Sequence, residues 1–227
     1  MARVLITDVD SALGFQLVKQ HLNAGDQVIT TTQDQRATSR FPDNEGDTLL
    51  TVYWSAHTPL ASRNLLMSAM NFMEGLDHSL ILQAPQVTRA LVHEVQFFDI
   101  EAAVDTWIKG YVFLVKHILA HHLERRNPQG VVALLVDQRD EPEAADPPLA
   151  QMINAAFAGL ARGVVDSYSV AGLAVLGFQW RAGRPEEFAQ FAMKTIAQPA
   201  AANGGWHRFG RTSLLASLAR PRFSRRP

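Results

Sequence analysis

The stretch Arg3–Gly14, R-V-L-I-T-D-V-D-S-A-L-G, constrains this chain more than any other. Val4–Ile6 is a short apolar run of the kind buried in a sheet, and Leu13–Leu22 carries its apolar residues at helical spacing. A strand turning at once into a helix is the opening unit of a doubly wound α/β sheet. The first turn of that helix points free N–H groups outward, where a phosphate is ordinarily held.

The alternation continues down the chain. Asn23-Ala24-Gly25-Asp26 reads as a helix stop, with Gly25 suited to the left-handed cap. Further strands are expected at Val28–Thr32, Thr48–Tyr53, Ser79–Leu82, Gly130–Val136 and Leu173–Phe178. Helical patterns occupy Ser62–Leu76, Ile100–Leu123, Pro148–Val165 and Pro185–Ala197, while Gln33–Asp47 and Asp137–Pro148 are loop-like. Gly130–Val136 is almost wholly apolar, as a strand buried on both faces must be. With no internal repeat, this pattern predicts one doubly wound parallel sheet with helices on both faces, a single domain over residues 1–219. An Arg/Pro tail, 220–227, follows it.

Two helices stand out. Ile100–Leu123 has one apolar line through Val104, Ile108, Tyr111, Val115 and Ile118, and a second through Ile100, Trp107 and Leu114, which implies burial on two sides. Pro148–Val165 is rich in small residues, among them Ala155, Ala156, Ala158, Gly159 and Ala161.

Composition sets the outer limits. With 47% hydrophobic and 19% charged residues, the 227-residue chain can bury a sizeable core. A net charge of −1 offers no general attraction to nucleic acid or anionic lipid. The tail arginines Arg220, Arg222, Arg225 and Arg226 lack an accompanying aromatic-studded groove, so nucleic acid is not an expected partner. The absence of cysteine removes disulfide and thiolate chemistry, leaving histidine and carboxylates as the possible zinc ligands. Val170–Trp180 is too short to span a bilayer, and a strand at the start of the chain leaves no room for a signal peptide. A cytoplasmic location is the expectation.

Four stretches, in this order and spacing, resemble the short-chain dehydrogenase/reductase family from Arg3 to about Phe178. They are Thr7 with Gly14, V-D-T-W-I-K-G-Y at Val104–Tyr111, G-V-V-A-L-L-V at Gly130–Val136, and N-A-A-F-A-G-L-A-R at Asn154–Arg162. The resemblance implies a Rossmann-like fold and locates the family's functional positions. In the cofactor loop T-G-x-x-x-G-x-G, Asp8 and Ala12 replace two glycines, Asp10 and Ser11 lie between them, and Gly14 is retained. The catalytic Tyr-x-x-x-Lys falls on Ala150 and Asn154, the substrate-orienting serine on Asp137, and the relay asparagine on Trp107. The N-N-A-G turn has become Leu82-Gln83-Ala84-Pro85, and the later P-G is Trp180-Arg181. No Tyr-x-x-x-Lys occurs at Tyr53, Tyr111 or Tyr168.

Alanine cannot transfer the proton, and asparagine brings no charge to lower a tyrosine pKa or hold a ribose. The expectation is therefore a protein without cofactor or metal, with a structural or regulatory role, including that of an inactive subunit beside an active relative. The resemblance also implies assembly through helices 100–123 and 148–165, as a homodimer, a homotetramer or a hetero-oligomer with an active family member. The competing reading is a divergent oxidoreductase or small-ligand binder that uses the old cleft, with Asp137 as acid or base. Against it, Asp137 has a plainer role as a strand-end carboxylate that pairs with Arg139 or caps a turn.

Other candidates have similarly paired readings. Asp8 and Asp10 either bind a cation or basic group, or cap the following helix in place of a phosphate; the second is favoured. His117, His121 and Glu124 share a helix face that suits metal ligands, but no second ligand segment accompanies them. Trp107 and Trp180 are expected in the core or an interface.

Overall fold

The computed structural model describes residues 1–35, 40–125, 130–138, 147–168, 173–198 and 204–210. Consecutive apolar residues along the strands require cover on both faces of a sheet, and the chain supplies it. Seven strands, β1 (Arg3–Ile6), β2 (Gln27–Thr32), β3 (Leu49–Tyr53), β4 (His78–Leu82), β5 (Val131–Asp137), β6 (Ala174–Trp180) and β7 (Gly205–Phe209), form one sheet. Their order is β3-β2-β1-β4-β5-β6-β7, with every neighbouring pair parallel. This is the expected doubly wound sheet. Its strand order reverses between β1 and β4, and the crevice beyond the carboxyl ends of those strands is where such sheets bind ligands.

The period of two divides the core. Val4, Ile6, Val28, Leu80, Ala133, Leu135, Leu176 and Phe178 face one layer, built with α1 (Ala12–Asn23) and α6 (Pro185–Ile196). Leu5, Ile29, Ile81, Val132, Leu134 and Val175 face the other, which takes residues from α2 (Pro59–Met73), α4 (Gly110–Arg125) and α5 (Pro148–Tyr168). Gly25 has φ 77°, the left-handed stop expected after α1.

One expectation needs correction. The pattern at Ile100–Leu123 is not one α-helix: α3 (Phe97–Ala103) passes through a π-helical turn, Val104–Lys109, into α4. Apolar spacing alone cannot separate the two, since their pitches differ by less than a residue per turn. The second apolar side of this helix is buried, as its two apolar lines imply. It is covered within the chain, where α2 packs along α4 and Gly110 abuts Ala56 so closely that a Cβ there would overlap it. Val112 and Leu123 are the exposed large hydrophobics of α4.

The strand β7 was not legible as one. Its sequence, G-W-H-R-F, is only partly buried and shows no clean alternation. It is seated by Trp206, whose indole lies against Gly177 of β6, its partner in register.

Candidate functional site at the carboxyl edge of the sheet

Parallel strands end together, so the loops after β1, β2 and β4 converge at the reversal point. Thr7 closes the base of this crevice. Its hydroxyl donates to the Leu82 carbonyl at 2.6 Å and accepts from the Leu82 N–H at 2.9 Å, joining β1 to the end of β4.

Asp8 follows in the left-handed region, φ 61°, which aspartate tolerates better than most side chains. It is 2% exposed. Its backbone N–H donates to Thr31 Oγ1 at 2.9 Å, and its Oδ2 accepts from the Ala84 N–H at 2.5 Å. One buried carboxylate thus spans from the β1 loop to the loop after β4, across the reversal point itself. Burial pushes its pKa from 3.8 up to about 7; the nearby Asp10 adds to the rise, and the Ala84 and Ser11 hydrogen bonds restrain it.

Asp8 and Asp10 therefore do not cap the following helix, contrary to expectation. Ser11 is the N-cap, accepting from the Gly14 N–H at 3.0 Å, and its own hydroxyl donates to the Asp8 carbonyl at 2.9 Å. Asp10 Oδ2 instead accepts from Thr32 Oγ1 at 2.8 Å and the Gln33 N–H at 3.0 Å. The local carboxylates lost the cap to the hydroxyl because each found a neighbouring loop to tie down. Ala12 is the first residue of α1, and Gly14 is retained for a steric reason: a Cβ there would overlap the Asp8 carbonyl.

The rest of the crevice is lined by side chains of this chain. Arg40 donates to the Val9 carbonyl at 3.2 Å and lies over the Phe15 ring, which stacks on Phe41. Gln83, where the resembled family has a tight turn, is buried and donates to the Ile153 carbonyl of α5 at 3.2 Å. Behind it, Tyr111 packs edge-on to Trp54 and Phe157 and stacks on Trp107 at 6.0 Å. Burial, with the Asp8 charge behind it, raises the Tyr111 pKa well above 10; its hydroxyl faces Thr7 without a well-formed hydrogen bond.

The positions identified by resemblance are distributed as follows. Trp107 is a core aromatic in this cluster, as is Trp180 beside Phe188 in the other layer. Ala150 is buried in the first turn of α5, and Asn154 is half-buried one turn later. Asp137, at the end of β5, is exposed. Its suggested partner Arg139 and the tail 220–227 lie outside the described residues. Among the described residues, no group of three or more His, Asp or Glu is arranged to hold a metal. No helix among them is long and apolar enough to cross a membrane.

Sequence reasoning missed Gln83, Arg40 and Thr31. A trace was present in the three successive threonines Thr30-Thr31-Thr32, which in a buried strand must find hydrogen-bond partners. The partners of Asp8 and Gln83, 76 and 70 residues away, left no such trace.

A seven-stranded parallel sheet with this order, and a crevice at the β1/β4 reversal, defines a doubly wound, Rossmann-like fold. Solved structures share this fold. A short-chain dehydrogenase from Streptomyces avermitilis matches with a TM-score of 0.74 at 15% identity, over 92% of this chain and 89% of that one. A serine dehydrogenase from Escherichia coli matches at 0.71 and 20% identity, over 91% and 96%. A 3-ketoacyl-(acyl-carrier-protein) reductase from Brucella melitensis, solved with NADH, matches at 0.70 and 16%, over 88% and 91%. The chain has the short-chain dehydrogenase/reductase fold along nearly its whole length. No family model and no curated protein matches its sequence.

Proposed function

We propose that this protein is a non-catalytic bearer of the short-chain dehydrogenase/reductase fold, with a structural or regulatory role in the cytoplasm. The observation that carries this reading is the Asp8 carboxylate bound to the Ala84 N–H across the strand-order reversal. A pyrophosphate entering there meets like charge and a side chain where an unobstructed backbone is needed. Trp107, Asp137, Ala150 and Asn154 at the family's four catalytic positions support the same reading, because none of these side chains reproduces the tyrosine–lysine proton transfer.

Calorimetric titration with NAD(H) and NADP(H) tests it. No heat of binding is expected at sub-millimolar cofactor; micromolar affinity for either dinucleotide overturns the reading.

The structural role includes assembly as a homodimer or homotetramer, or with an active relative, through α4 and α5. The outer face of α5 supports this part: Met152, Ala155, Gly159 and Gly163 are exposed in one row, and neither glycine has a neighbour within 4 Å of a built Cβ. Ala158, by contrast, packs inward against the core. Gly159→Arg is expected to halve the mass seen by light scattering. A wild-type monomer at micromolar concentration removes the assembly from the proposal.

A further inference from the structure

A cavity of about 230 Å³ opens beside the π-helical turn, further along the loop that closes the crevice. Neither Thr7, Asp8, Gln83 nor Ala84 lines it. Its walls come from three places: the loop after β4 with Gln86, Val87 and Thr88, the α3–π segment with Asp99, Thr106 and Trp107, and Leu149 at the start of α5. Such π-helical turns recur at functional sites, and this one contributes Thr106 and Trp107 to the wall.

The polar groups in this cavity have bonding capacity left over. Among the described residues, the Asp99 carboxylate has no ion-pair or hydrogen-bond partner, nor does the Thr106 hydroxyl or the Gln86 amide. Thr88 Oγ1 accepts from the Ala90 N–H at 3.3 Å and keeps its own proton to donate. The contrast with Asp105, six residues on from Asp99, is direct: that carboxylate is paired with Lys109 at 2.6 Å on the outer surface. An acid left unpaired in a concave site, with hydroxyl and amide groups around it and Val87, Trp107 and Leu149 opposite, has the composition of a binding site.

We infer that this cavity binds a small organic ammonium ion, its charge held at Asp99, its remaining hydrogen-bonding groups at Thr88, Thr106 and Gln86, and its apolar part against Trp107 and Leu149. Asp99 is the sole charged group lining the cavity, which disfavours carboxylates, phosphates and nucleotides. The volume falls below the roughly 300–1,000 Å³ of sites for drug-sized ligands, which limits the occupant to a simple amine or amino alcohol. The site uses none of the four residues that close the crevice, so it does not depend on dinucleotide binding, although Trp107 on its wall stands at one of the family's catalytic positions and Leu149 precedes another, Ala150.

The test is a titration of the full chain with phenethylamine, followed by the backbone resonance of Thr106 and the indole resonance of Trp107. Saturable shifts at both are expected with a Kd of about 1 mM or tighter. The neutral phenethyl alcohol, nearly identical in shape, is expected to bind about tenfold more weakly, and Asp99→Asn to weaken the amine by about the same factor. Asp105→Asn, which removes an acid already paired outside the cavity, is expected to leave the affinity unchanged. Because Asp99 is half-exposed and asparagine is isosteric, the variant folds. The inference is overturned if the amine produces no shift at these two residues, if the alcohol binds equally well, or if Asp99→Asn binds the amine as wild type does.

Discussion

Replacing Asp8 by asparagine should make this protein more stable at neutral and alkaline pH. The left-handed φ of 61° suits asparagine as well as aspartate, and an amide oxygen can still accept from the Ala84 N–H. What disappears is a charge that burial disfavours. The folded-state pKa of Asp8 lies at about 7 against 3.8 unperturbed, so the folded state holds its proton longer than the unfolded chain does. The stability gained from this preference is complete below pH 3.8 and is lost as pH rises to about 7 and beyond. The whole span corresponds to about 4 kcal/mol, an upper bound for the gain on removing the charge at pH 8.5. The amide's own N–H groups need partners in a buried site, which reduces the net gain to about 2–4 kcal/mol. For a domain of this size that is a rise of about 5–15 °C in Tm. Urea denaturation of both proteins between pH 4.5 and 8.5 measures it: the advantage of Asp8→Asn should be small at the acid end and grow through pH 7. A variant no more stable than wild type at pH 8.5, or a difference independent of pH, refutes the buried-charge account.

His122 should act on the opposite limb. Burial lowers its pKa from 6.5 to about 4, so its contribution is present above pH 6.5 and is lost as pH falls through 4. His122→Leu, which also removes two unpartnered ring nitrogens, should flatten that acid limb by up to about 3 kcal/mol in urea titrations, and an unaltered limb refutes the assignment. Gly14→Ala forces a Cβ into the Asp8 carbonyl, and a backbone atom cannot swing aside; a loss of at least about 2 kcal/mol in chemical denaturation is expected. Ala150→Tyr with Asn154→Lys restores the family's dyad but leaves Asp8 in the crevice, so folded protein, verified by circular dichroism, should show no NADPH-dependent carbonyl reduction. Turnover by that variant means the obstruction is less complete than the Asp8–Ala84 bond indicates.

The sequence carried what is periodic and local. Val4–Ile6, Gly25 and the apolar run before Asp137 each betray their structure within a few residues, so the sheet and its layers were readable. The π-helical turn was not, because Trp107 and Tyr111 sit equally well on an α-helical wheel. At the candidate site, the losses at Ala150 and Asn154 were visible as letters, but the destination of Asp8 was not. A local argument assigns a carboxylate before a helix to the helix; only the fold brings Ala84 to it, and Ser11, the residue directly before α1, takes the vacated role. Asp137 differs in kind: its exposure depends on where β5 ends relative to its neighbours, which no residue in the strand encodes alone.

The seating of Trp206 on Gly177 ties two residues of adjacent strands into one inherited unit. A methyl group at 177 cannot be accepted while the indole remains, and without the indole β7 keeps Phe209, packed on Phe188 and Phe191, as its one large apolar anchor. Divergence at either position is therefore conditional on the other: the tolerated order of changes begins at 206, and passes through a protein whose last strand is loosely held. In such an intermediate the outer edge of β6 is open to the same strand from a second molecule, and the first symptom of drift at this pair would be exchange of strands between chains rather than unfolding.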